Sequence, residues 1–278
     1  MKTLIYIELL KIYKKWRTYI GFIAIGILVP IIQLALYSTK DQYIRVLTRG
    51  LQDSFIFIGN LFNGYLIAYL TLSSLFIHIP FLIVLVGGDV FAGEATAGTY
   101  RMLLIRPVSR LEVIISKYVA GIIYVISLIV WLVLLSLVVS ILLFGTGNLI
   151  SFRGKLIIFD SNDVLWRFFY AYSFAILSMI TVYSLSFLFS SLVENAIGPI
   201  VATMAVIIIL FVLSTLPIEF FDKIQPYFFT THMSQWDKFF NENVDFKEII
   251  NSAFVLVGYS IGFLILTSII FIRKDILS

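Results

Sequence analysis

Six long stretches of this chain contain no Asp, Glu, Lys or Arg: Thr18–Thr39, Ser54–Gly88, Tyr118–Phe152, Phe168–Val193, Asn195–Ile218 and Ile249–Ile272. Even the shortest has 22 residues, and about 20 helical residues cross a hydrocarbon core of about 30 Å. Apolar residues crowd every face of these stretches instead of alternating with a period of two. That pattern excludes a membrane β-barrel and predicts an all-α integral membrane protein with six transmembrane helices. Composition points the same way, with 60% hydrophobic and 13% charged residues among 278. Soluble domains are nearer 45–50% apolar and about 25% charged, so a water-soluble enzyme is excluded. The absence of cysteine removes disulfides, zinc ribbons, iron–sulfur sites and thiol nucleophiles. Two histidines, His78 and His232, leave little for an imidazole metal centre, and no cofactor is expected in this chain. A net charge of +4 with no basic stripe argues against nucleic acid. The bilayer and its anionic headgroups are the expected partners of the lysines and arginines.

The chain reads as one domain over 1–278. It comprises an interfacial helix (1–17), spans at about 18–39, 62–88, 113–144, 167–193, 196–216 and 249–272, a loop at 89–112 and outer-loop helices at 217–248. Two of the uncharged runs have 35 residues, which as straight helices would reach about 52 Å at 1.5 Å per residue, so their ends extend beyond the bilayer or do not span. Six spans put both termini on one side. Taking that side as cytoplasmic gathers Lys2, Lys11, Lys14, Lys15, Arg17, Arg101, Arg106, Arg110, Lys117, Arg273 and Lys274 there, the sign expected of inward-facing loops. No short apolar core with a small-residue cleavage site follows Met1, so no signal peptide is expected. Ile5, Leu9, Ile12 and Trp16 recur at helical spacing, and Glu8, Lys11, Lys15 and Thr18 follow the opposite face. Such a helix is expected to lie in the interface with its apolar side down.

The loop after the second span differs from the rest of the chain. Gly87, Gly88, Gly93 and Gly98 loosen its start, since each glycine costs about 1 kcal/mol in a helix relative to Ala. Tyr100–Ile105 forms a short amphipathic piece that Pro107 ends. Ser109-Arg-Leu-Glu112 is a capping box, which starts a new helix at Arg110. The outcome is a bracket joined to two spans, longer than a plain connection needs. Gly93 and Gly98 have the spacing of a phosphate loop, but the lysine that reaches the phosphates is missing and no strand precedes them. ATP is not bound there.

The run G-D-x-F-A-G-E-x-x-x-G-T-x-x-x-L-L-x-R-P-V-S-R with Lys117 after it resembles the signature of ABC-2 type transporter permeases. The C-terminal Phe271-Ile-Arg-Lys-Asp-Ile276 is similar to the basic tail after their last span. The motif covers about 30 residues, and the six-span layout fits the entire chain. The resemblance implies the permease subunit of an ATP-binding cassette exporter in a bacterial or archaeal cytoplasmic membrane, both termini cytoplasmic. It also implies dimerisation with a second copy or a related permease, and a separate cytoplasmic ATPase subunit that binds the ATP and Mg. This chain would not itself be an enzyme. By the same resemblance the bracket is a coupling helix seated in the ATPase, and Gly93, Glu94, Gly98, Thr99, Arg101, Pro107 and Arg110 belong to it. Many members carry further acidic residues after the G-E pair, where this chain has Ala95-Thr96-Ala97.

Other residues add smaller expectations. Glu194-Asn195 forms a very short turn with Pro199 starting the next helix, either a second ATPase contact or a solvated turn. His78 lies two residues before Pro80 in the second span, as a pathway group or as a neutral histidine bonded to Ser or Thr of a neighbouring helix beside a kink. The aromatic residues of 217–248 read as helices at the outer interface, and Asp160 as the cap of the fourth span. An intramembrane enzyme would need carboxylates in the spans, and the six runs have none. A secondary transporter normally places ionisable groups at the midplane, where only His78 offers one. A mechanical or signalling ABC membrane subunit that moves no solute shares all these features. An uncharged pathway favours lipids, hydrophobic peptides or drugs over sugars.

Overall fold

A computed structural model describes residues 1–48, 61–98, 108–152 and 156–273. It is predominantly helical, and among the described residues six helices are long and apolar enough to cross a membrane: Trp16–Ser38, Ile79–Thr96, Arg110–Phe144, Ser161–Leu192, Ile197–Thr215 and Phe246–Arg273. This is the architecture of a multi-pass membrane protein. In chain order the helices are α1 (Lys2–Lys14), α2 (Trp16–Ser38), α3 (Lys40–Thr48), α4 (Gly64–Leu75), α5 (Ile79–Gly87), α6 (Asp89–Thr96), α7 (Arg110–Val133), α8 (Ser140–Phe144), α9 (Ser161–Leu192), α10 (Ile197–Thr215), α11 (Glu219–Ile224), α12 (Phe229–Met233) and α13 (Phe246–Arg273).

Hydroxyls and amides in the sequence mark the helix starts. Ser109 and Glu112 form the expected capping box: Glu112 N–H donates to Ser109 Oγ, and Ser109 N–H to Glu112 Oε2. Asp160 caps α9 through Asn162 N–H, and the Asn63 side chain caps α4. The fourth span, α9, runs through the centre. It is 72% buried over its most apolar window, against 17% for α10, and α5, α7, α10 and α13 pack around it. Buried hydroxyls knit these helices together: Tyr118 to Ser184, Thr181 to Ser260, and Ser136 to Tyr172.

Three features depart from the expected layout. The second span is not one helix over 62–88 but α4, α5 and α6 in succession. Pro80 has no N–H and its ring crowds the preceding turn, so the chain tightens: His78 N–H bonds the Leu75 carbonyl, and the His78 ring Nδ1–H takes the Ser74 carbonyl at 2.9 Å. His78 is thus bonded to its own helix and exposed, not to a hydroxyl on a neighbour. The third span carries a π-helical stretch, Leu134–Val139, between α7 and α8; Gln33 of α2 donates to the Leu135 carbonyl within it. Finally, the fold is not purely α. The connection between the third and fourth spans holds a hairpin, β1 (Leu149–Phe152) and β2 (Leu156–Phe159), antiparallel with Leu149 opposite Phe159. Short β-branched and aromatic runs suffice for it once Leu149 and Ile150 are buried.

Contacts sort the chain ends. Lys11 of α1 bonds Glu94 of α6, Thr96 bonds the Glu194 carbonyl, and Arg110 bonds the Phe271 and Ile272 carbonyls that close α13. The N-terminal helix, the bracket, the turn before α10 and the end of the last span therefore share one end of the bundle.

Candidate functional site

That shared end is built on α6, a two-turn helix continuing the second span past a bend at Gly88. Helix starts leave N–H groups without intrahelical partners, and here another span supplies one. The Ser190 hydroxyl of α9 accepts from Phe91 N–H and Ala92 N–H, both at 3.0 Å, and donates to the Gly88 carbonyl at 2.7 Å. The far end of α6 closes at Gly98, whose φ of +64° is left-handed backbone that side chains with a Cβ rarely adopt. Thr96 and the Glu194 carbonyl then join α6 to the turn between the fourth and fifth spans. Asn195 shapes that turn by accepting from Ile197 N–H, and both Glu194 and Asn195 are exposed.

Two charge clusters fasten α6 to its neighbours, the first to α1 and α7 and the second to the start of α2. In the first, four side chains alternate in sign. Lys11 Nζ and Lys117 Nζ each lie 2.7 Å from Glu94 Oε1, and the same two ammonium groups lie 2.7 Å from the two oxygens of Glu8. Lys117 is enclosed, its side chain 1% exposed, with the Phe91 ring 5.8 Å from its Nζ. Buried charges are tolerated when paired in this way. Burial disfavours the Lys11 ammonium, but the Glu94 and Glu8 carboxylates outweigh it and hold the Lys11 pKa above its ordinary 10.5. In the second cluster one carboxylate holds two cations: Asp89 takes Lys15 at 2.6 Å and Arg17 at 2.7 Å. Gly93 makes room for it, since a Cβ there would come within 2.4 Å of Asp89 Oδ1.

Glu94 makes these charge-assisted hydrogen bonds inside its own chain. α1 buries one residue from each face, Glu8 and Ile12, while Trp16 at the start of α2 is 71% exposed. Lys117 supplies the reason for Glu8. For Trp16 the reason is Lys15, whose extended backbone ends α1 and starts α2 on a new phase. Of the other bracket residues, Gly93 and Gly98 stand as described, and Arg110 lies against the end of the last span. Thr99, Arg101 and Pro107 fall outside the described residues. His78 and the buried Pro80 belong to the break between α4 and α5, away from this end. Sequence reasoning missed Glu8, Asp89, Lys117 and Ser190 as parts of one assembly. A lysine immediately before the third uncharged stretch, and a charge pair at Glu8 and Lys11, were the available signals.

The model of the family described as "Protein of unknown function (DUF2705)" matches residues 12–277, so the chain belongs to that family. A curated relative, "Uncharacterized protein YhcI" of Bacillus subtilis (strain 168), is 26% identical over 140 residues. The alignment takes in 48% of this chain and 45% of the relative, so the chain spans less than half the length of the curated relative it matches.

Proposed function

We propose that this DUF2705 protein is the membrane-spanning permease subunit of an ATP-binding cassette exporter, working as a dimer with a separate ATPase subunit on the side of the N-terminus. One observation carries the reading: the bracket helix α6 is held from three sides. Ser190 caps it in trans, Glu94 and Asp89 tie it to the N-terminal helix and the start of the first span, and Thr96 joins it to the turn at Glu194. A loop with no mechanical duty needs none of these ties. A force on the exposed residues Thr96–Gly98 would move α1, the second span and the fourth span together. The motif resemblance supplies the identity of the pusher. In this reading Glu94 stiffens the lever from within, and the surface offered to the ATPase is the tip of the bracket beside Glu194 and Asn195.

The complex purified with its ATPase and reconstituted in liposomes tests this. Gly98→Val forces a β-branched residue into left-handed backbone, at about 1–2 kcal/mol, and should leave assembly intact while uncoupling ATP hydrolysis from transport. Hydrolysis and transport at wild-type rates in an assembled Gly98→Val complex would sink the reading. Coupled hydrolysis with no solute moved, across lipid, peptide and drug probes, would point to a mechanical or signalling complex.

A further inference from the structure

The second charge cluster is unbalanced. The ring of Glu8, Lys11, Glu94 and Lys117 is neutral, two against two, whereas Lys15 and Arg17 share the single carboxylate of Asp89. One positive charge is left over at that corner. Lys14 beside it is exposed and has no carboxylate partner among the described residues. Arg17 spends NH1 on Asp89, and a guanidinium has five N–H donors. The corner stands where the first membrane-crossing helix begins, at Trp16. Trp16 and Tyr19 point away from the bundle, 71% and 42% exposed, the placement of aromatic rings at a headgroup boundary.

We propose that this corner binds the headgroup of an anionic phospholipid in the leaflet on the N-terminal side, with Lys14, Lys15 and Arg17 around its phosphodiester. One phosphodiester carries one negative charge, which offsets the charge that Lys15 and Arg17 leave over beside Asp89, and Lys14 adds a further cation. The exposed Trp16 and Tyr19 rings choose a lipid over a soluble phosphate, because they offer apolar surface where the acyl chains of the same molecule begin. The proposal does not depend on the coupling reading, since it concerns the outer surface of α1 and α2.

Native mass spectrometry of the delipidated protein, titrated with equal amounts of phosphatidylglycerol and phosphatidylcholine of matched chains, tests it. Wild type should retain phosphatidylglycerol in preference. Each cation removed should weaken that binding about fivefold, the effect of one basic residue at an anionic surface. Lys14→Gln touches neither cluster and decides the matter even if Arg17→Gln fails to fold. Equal retention of both lipids would overturn the proposal, as would wild-type preference in Lys14→Gln. So would displacement of phosphatidylglycerol by excess inorganic phosphate, which would assign the corner to a soluble anion.

Discussion

Replacing Lys117 by Met keeps a similar volume but removes the cation enclosed between Glu8 and Glu94. Both of its contacts are 2.7 Å long, and the side chain is 1% exposed. At an effective dielectric of 20, unit charges 4 Å apart attract by about 4 kcal/mol, so two pairs give a gross attraction near 8 kcal/mol. The cost of burying the ammonium takes back several kcal/mol of that. Removal of one partner from a buried pair still costs about 3–5 kcal/mol, because the opposing charge is left uncompensated. Here Lys11 remains against both carboxylates, 39% exposed, which puts the expected loss near the lower bound, about 3 kcal/mol. Adding Glu94→Gln restores neutrality by leaving only the Glu8–Lys11 pair. The double variant should therefore be less destabilised than the sum of the singles by about 1–3 kcal/mol. Unfolding by SDS in mixed micelles, followed by circular dichroism, measures all three. A loss below about 1 kcal/mol for Lys117→Met, or additive singles, would refute the idea of a coupled charge ring.

Ser190→Ala should cost about 1 kcal/mol, as lost helix caps do. Hydrogen exchange should speed up selectively at the Phe91 and Ala92 amides, while unchanged exchange there would remove Ser190 as the cap of α6. Because the Lys11 pKa is raised on folding, its stabilisation is fully present below pH 10.5 and fades as pH rises through the raised value. Lys11→Gln should thus differ from wild type by a constant amount near neutral pH and by a shrinking amount above about pH 10.5. A difference that already shrinks between about pH 6 and 8 would contradict the assigned ion pairs.

The spans were legible because a bilayer asks for about 20 uncharged residues in a row and few other folds do. Local chemistry was legible too: the box at Ser109 and Glu112 and the Asp160 cap both depend on neighbours within four residues. What remained hidden depends on distant partners. Glu8 meets Lys117 across 109 residues, and Ser190 meets Phe91 across 99. No periodicity in α1 reveals that Glu8 is buried along with Ile12, since amphipathicity gives the two faces and not which neighbour each one meets. The break of the second span was half visible, because Pro80 marks a kink but an uncharged background hides where each helix ends. The hairpin at 149–159 was too short to stand out between two spans.

The central claim is that the tip of the α6 bracket meets a separate nucleotide-binding subunit. The chain has no cysteine, so Ala97→Cys places one thiol on that exposed tip, and Ser234→Cys places another in the connection between the fifth and sixth spans. Cross-linking in native membranes with a short thiol-to-amine reagent, followed by mass spectrometry of the adducts, reads the contact directly. The account predicts an adduct of Ala97→Cys with an ATP-binding protein, its yield changing when ATP is added, and none from Ser234→Cys. Adducts from Ala97→Cys with no nucleotide-binding protein among them, or the same adducts from both positions, would contradict it.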